Sequence, residues 1–435
     1  MKTTNTNRYL QFLLVVLAAG AIYPLIYLRT NYQVTILEVF GITNGQLNSL
    51  YTTLGMVFVV GYFPSGWLAD RISAKKLLVV SLLCTGLGGL WFAQIPSYIN
   101  VRIIFAIWGF FSVFTFWGAH LKIVKLMSTK EEEGRFFGIL DGGRGAVEAL
   151  LASIALVIFS TVLGNADDMM LKREALIRVI YMYSFALISL SLLIGIFLKD
   201  NQESEEIKIE TKKETSKVKR NLVGDVKVVF GNKLVWNLGI IIFMGYTVFW
   251  TVYYIGGFLQ TNLEVDPITV GLITTIVLWM RPIGGIFGGF IADKIGKAKT
   301  LKIAVTCASV LLITISTIPY STPQMVFFGL FILLAIMLYT IRGLYWSLLG
   351  DCRLDAAILG LSIGIISFLG YLPDIIIPKV NTILFGTFGG NMGYNAYFIT
   401  SAICGITGVI AVTIFQKKSV QTEKTEEELE YTTEN

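Results

Sequence analysis

The chain has 435 residues, of which 54% are hydrophobic and only 15% charged, and its formal net charge is +6. A soluble chain of this length would carry about 25% charged residues, so composition excludes an ordinary soluble protein and points to a helical membrane protein. The excess positive charge lies in alternate loops rather than along one face, which excludes nucleic acid as a partner. A lone histidine, His120, and four scattered cysteines (Cys84, Cys307, Cys352 and Cys404) give no metal-binding spacing.

In chain order, the first apolar run begins at Tyr9. It is too long for a secretory signal and lacks a small-residue cleavage site, so it reads as a retained helix. Twelve apolar spans follow from hydropathy, at 9–36, 45–70, 75–97, 99–126, 135–163, 174–198, 232–261, 266–292, 299–319, 323–350, 356–378 and 392–416. Each can cross ~30 Å of hydrocarbon at ~1.5 Å per helical residue. The expected fold is all-α: a polytopic membrane protein whose twelve helices form two six-helix bundles, 1–198 and 231–416. A charged linker, 199–230, separates them, and an acidic, unstructured tail, 417–435, ends the chain. Loops after even-numbered spans carry the basic residues: Arg71, Lys75 and Lys76, then Lys122, Lys125, Lys130 and Arg135, then Lys294, Lys297, Lys299 and Lys302. Basic loops stay in the cytoplasm, so both termini are expected there, with the protein in the cytoplasmic membrane.

The halves share a local pattern. "GWLADRISAKKLL" starts at Gly66 and "GFIADKIGKAKTL" at Gly289, which places Asp70 and Asp293 about half the chain apart. A half-length repeat in a helical membrane protein is a mark of transporters built around a central site. Gly66, Asp70 and Arg71, and again Gly289, Asp293 and Lys294, match the second-to-third-span signature of the major facilitator superfamily, which the whole chain resembles. The resemblance implies the twelve-helix fold, secondary transport, and a gating role for these six residues. "YLRTNYQVTIL", from Tyr27, resembles span one of the sugar-phosphate and organophosphate permeases, and this implies that Arg29 binds an anion. The chain departs from that branch elsewhere: Phe249 and Trp250 stand where a second arginine is usual, and Tyr62 where a lysine is.

Four arginines fall inside apolar spans: Arg29, Arg144, Arg281 and Arg342. Buried arginine is costly, so each should meet a cavity or a carboxylate. Arg342 lies close enough to a helix end to snorkel to the interface, whereas Arg281 does not, and Pro282 after it predicts a kink. Asp141, Arg144 and Glu148 sit at i, i+3 and i+7 and share one helix face, either as ion pairs or as an anion site with an exchanging carboxylate. Asp374 is a further candidate for proton transfer, or else an arginine partner or an acid at the outer helix end. Tyr246, Trp250, Tyr253 and Tyr254 recur on span seven, with Trp250 and Tyr253 expected to line a substrate cavity together with Arg29, Arg144 and Arg281.

The sequence supports a secondary transporter for a small organic anion, working by symport or exchange as a monomer in the lipid bilayer, with protons as one possible coupling ion and no cofactor. A transporter-like sensor, or a carrier of neutral or cationic solutes, is the alternative. No nucleophile–base pair or phosphate loop suggests an enzyme.

Overall fold

The computed structural model describes the backbone of residues 5–127, 133–164, 168–199, 227, 229–352 and 359–434. The side chains at 5–7, 63, 66, 67, 70, 71, 125, 126, 133–135, 137, 138, 286, 359–361 and 364, and those beyond 419, fall outside that description. The expected linker lies mostly outside it too, as do the surroundings of Gly66 and the side chains of Asp70 and Arg71.

All the regular structure among the described residues is helical. The helices are α1 (Asn5–Ile26), α2 (Arg29–Phe40), α3 (Asn44–Arg71), α4 (Ala74–Phe92), α5 (Tyr98–Gly109), α6 (Trp117–Met127), α7 (Glu133–Leu163) and α8 (Met169–Phe197), followed by α9 (Lys233–Phe249), α10 (Ile255–Asn262), α11 (Pro267–Ile295), α12 (Lys297–Thr317), α13 (Gln324–Leu344), α14 (Leu359–Gly370) and α15 (Pro373–Glu434). Ten described segments are long and apolar enough to cross a membrane. One of them, Ile365–Ser419, holds two crossings divided at Gly389, whose φ of 77° breaks the helix. With α3, which at 28 residues also suffices, the crossings number twelve.

Local chemistry sets the helix ends. Thr43 and Gln46 form a reciprocal capping box at the start of α3. Asp266 accepts from the backbone N–H groups of Ile268 and Thr269 before Pro267 opens α11. Gly41 ends α2 and Gly296 separates α11 from α12, both at positive φ.

Several crossings are broken or irregular along their length. The first turns at Tyr27–Leu28, between α1 and α2. The fourth contains a π-helical stretch, Phe110–Phe114. The seventh and tenth contain 3₁₀ stretches, Trp250–Tyr254 and Tyr345–Cys352. These are every third crossing, and such irregularities let a helix bend or expose a backbone group. At the first break the Ile26 carbonyl accepts a 2.8 Å bond from the Tyr51 hydroxyl, which satisfies it without water.

Two of the expectations change. The eleventh crossing runs on through Pro378 to Gly389 rather than ending at Pro378, because a single proline within an apolar run does not stop a well-packed helix. The acidic tail continues α15 as helix to Glu434, in keeping with the helix propensity of its glutamates and lysines.

Within the first six crossings α4 packs on α8 and α1 on α7; within the last six α11 packs on α13, and α9 and α12 on α15. The two sets meet where α3 packs on α15, α7 on α11 and α2 on α10. Large apolar side chains such as Val60, Leu192, Ile196, Phe290 and Ile383 stay exposed on the outer faces, as lipid contact requires. The two termini share one end of the molecule: Arg8 donates to the Met127 carbonyl and Lys302 to Gln416. This is also the end that carries the basic turns at Ile72 and Gly296.

Candidate functional site

The interface between the two sets of crossings is closed at the end opposite the basic turns. There Arg29 is fully buried. It donates to Asn48 and Gln33, both at 3.0 Å, and lies between the rings of Tyr51 and Tyr254. Gln33 donates to the Tyr394 hydroxyl at 2.8 Å, Tyr254 to Asn48 at 2.9 Å, and Asn31 to Thr274 at 2.9 Å. Each of these three bonds joins one set to the other. Two glycines let the backbones meet: a Cβ on Gly256 would lie 2.7 Å from the Thr30 carbonyl oxygen, and one on Gly55 would lie 2.3 Å from that of Asp374.

Below this seal lies a central cavity. Crossings from both sets line it. Its walls are rich in tyrosine, and the stacked pairs Tyr27–Tyr253 and Tyr62–Tyr371, at 4.6 and 5.6 Å between centroids, span the interface. Three guanidinium groups reach it, from Arg144, Arg281 and Arg342, with one carboxylate, Glu148.

The charges of α7 are organised by a residue far away in sequence. Glu148 accepts from Arg144 at 3.0 Å and from Arg281 at 2.5 Å, and Arg281 also reaches Asp141 at 3.2 Å. Arg144 lies over the Tyr23 ring. Asp141 is 74% exposed, so its bond is weak, while the Glu148 pairs are largely shielded. Gly145 makes room for this, since a Cβ there would press on the Arg281 side chain at 2.8 Å. Glu148 and Arg281 each stand near the middle of their helices, so the ion pair crosses the interface at mid-height.

Arg342 faces the cavity rather than the membrane interface. Its guanidinium lies 4.5 Å from the Phe249 ring centre and 5.6 Å from that of Tyr246. Among the described residues it has no ion-pair partner. Asp374 is 1% exposed and sits some fifteen residues before the end of its crossing, deep in the membrane rather than at its edge. One carboxylate oxygen accepts from the Tyr246 hydroxyl at 2.8 Å and the Trp250 indole at 3.0 Å; the other has no hydrogen-bond partner among the described residues.

Of the residues singled out from sequence, Arg144, Arg281, Glu148 and Tyr253 line the cavity and Asp141 joins its ion-pair network. Arg29 lies in the seal. Trp250 is buried behind the cavity wall against Asp374. Gly289, Asp293 and Lys294 end α11, and Asp293 and Lys294 are exposed with no ion pair among the described residues. Arg342 and the stacked tyrosines other than Tyr253, namely Tyr27, Tyr62 and Tyr371, are the site residues that sequence reasoning left out. The one available signal for Arg342 was its place on the tenth crossing among Tyr339, Tyr345 and Trp346. Among the described residues no group of His, Cys, Asp or Glu forms a metal site.

Twelve crossings in two interlocked sets around a central cavity define a membrane transporter rather than an enzyme. The profile of the Major Facilitator Superfamily matches residues 9–378, and the chain belongs to that family. It is 27% identical over 427 residues to the inner membrane protein YqcE of Escherichia coli (strain K12), spanning 96% of this chain and 97% of that protein. It is also 27% identical over 430 residues to YihN of the same organism, with the same coverage. Among solved structures it is similar to a bacterial homolog of the human lysosomal transporter Spinster in an inward-facing, unoccupied conformation. That likeness has a TM-score of 0.72 at 12% identity, covers 96% of this chain and 99% of the other, and concerns the fold.

Proposed function

We propose that this protein moves a small organic anion across the cytoplasmic membrane by alternating access. The observation that carries the proposal is the central cavity, where three guanidinium groups face one carboxylate. Arginine stays charged and binds carboxylate or sulfonate with a fixed fork of donors. The bundles 1–198 and 231–416 are the bodies that rock, and one chain contains the whole site, so the proposed unit is a monomer. Both termini share an end with the basic turns, which supports a cytoplasmic location for them. The two Escherichia coli relatives are named as inner membrane proteins, which supports the same membrane. On this assignment the sealed end is the outer one.

Proteoliposomes test the proposal. Flux of small organic anions, in preference to neutral and cationic compounds of similar size, is the expected result. Flux of neutral or cationic compounds alone would overturn the anion assignment, and binding without flux would make the protein a sensor.

Coupling to protons is assigned to Asp374, which is buried and bonded only by neutral donors. Asp374→Asn should retain anion binding and exchange while losing accumulation driven by a pH gradient. Gradient-driven uptake at the wild-type level in that variant removes the role.

A further inference from the structure

The three cavity arginines are not equivalent. Arg144 and Arg281 share Glu148, and Arg281 also holds Asp141, so two cations meet two carboxylates and that cluster is neutral by itself. Arg342 stands apart from it. Its guanidinium lies over the rings of Phe249 and Tyr246, and the residue lines the cavity. The remaining buried carboxylate, Asp374, is separated from the cavity by Tyr246 and Trp250 and lies outside its lining.

Resting on the anion-transport reading, we infer that the ligand is a monoanion, a carboxylate or sulfonate on an uncharged organic body, and that its charge docks on Arg342. The Arg144–Glu148–Arg281–Asp141 cluster joins the two bundles and does not hold the anion. A single cavity cation without a carboxylate partner can neutralise one negative charge. A second charge, as on a phosphate monoester or a dicarboxylate, would find no second cavity cation free of a carboxylate partner, and burying an unpaired charge is costly. The rest of the ligand meets the Tyr27–Tyr253 stack and Tyr339, aromatic faces whose hydroxyls can also bond a polar substituent.

Thermal shifts of the detergent-purified protein with matched probes test this. Gluconate and benzoate are the monoanions, glucarate, phthalate and glucose 6-phosphate the dianions, and glucose and glucosamine the neutral and cationic controls. The expected result is stabilisation by a monoanion and not by its dianionic counterpart. A charge-assisted contact contributes about 1.5–3 kcal/mol, so Arg342→Gln should weaken that binding about ten- to hundredfold, and Arg342→Lys should restore part of it. If Arg342→Gln does not fold, the wild-type charge series and Arg342→Lys still decide. Stronger stabilisation by the dianions, or monoanion binding that survives Arg342→Gln and is lost in Arg144→Gln, overturns the inference while leaving anion transport standing. Stabilisation by glucose or glucosamine alone, or by none of the anions, overturns the anion reading itself.

Discussion

Glu148→Gln should abolish transport and lower the melting temperature, because it removes the carboxylate shared by two arginines. Breaking a buried ion pair by deleting one partner costs about 3–5 kcal/mol. Here the cavity reaches one side of the pair, so a loss below that scale, about 2–3 kcal/mol, is expected. Arg281→Gln should cost a similar amount, since it strands Glu148 beside Arg144 alone and frees Asp141. The double variant is the decisive one. Glu148 and Arg281 are in direct contact, so their effects should not add: the double change should be less damaging than the sum of the singles by about 1–3 kcal/mol. Thermal unfolding and proteoliposome flux measure both. Additive losses, or a Glu148→Gln variant with normal flux, would show that the ion pair joins nothing that moves.

Gly55→Val should leave the protein folded but unable to close the end opposite the basic turns. A Cβ at Gly55 would lie 2.3 Å from the carbonyl oxygen of Asp374 and 2.6 Å from its carbon. These are backbone atoms, so no rotamer change relieves the clash, and α3 must stand away from α15. Spin labels at Thr43 and Asn391 should report a longer distance than in the wild type, and flux should fall at least tenfold. Gly256→Val, facing the Thr30 carbonyl at 2.7 Å, should act in the same direction. Gly142→Ala is the control: a Cβ there meets nothing within 4 Å, and flux should persist. Unchanged label distances in Gly55→Val would mean that the seal does not depend on this approach.

Hydropathy alone made the twelve crossings legible, and helical spacing put Asp141, Arg144 and Glu148 on one face. What spacing could not supply was their partner. Arg281 lies on another helix more than a hundred residues away, and a long-range ion pair leaves no local periodic trace. The assignment of Trp250 and Tyr253 to one cavity face assumed a regular α-helix. In the 3₁₀ stretch Trp250–Tyr254 residues three apart align, so the two rings stay neighbours at 5.0 Å; Tyr253 lines the cavity, while the bond from its indole to Asp374 holds Trp250 behind the wall. Arg342 was read by its distance from a helix end, which says nothing of the aromatic faces of Phe249 and Tyr246 that hold it inward. The extent of the eleventh crossing was hidden by Pro378 and the polar residues after it, and with it the depth of Asp374.

The Arg281–Glu148 pair sits at mid-height on both helices, and that position makes it a fulcrum. A tie at either end would have to break before that end could part. A tie at the centre is nearly stationary when two bodies rock about it. With about 15 Å of hydrocarbon on each side, a rotation of roughly 20° moves each end by about 5 Å yet leaves the pivot almost undisturbed. On the proposed rocking of the two bundles, this charged contact can persist through a whole cycle, while the neutral hydrogen bonds of the seal, individually weak, are the ones made and broken on each stroke.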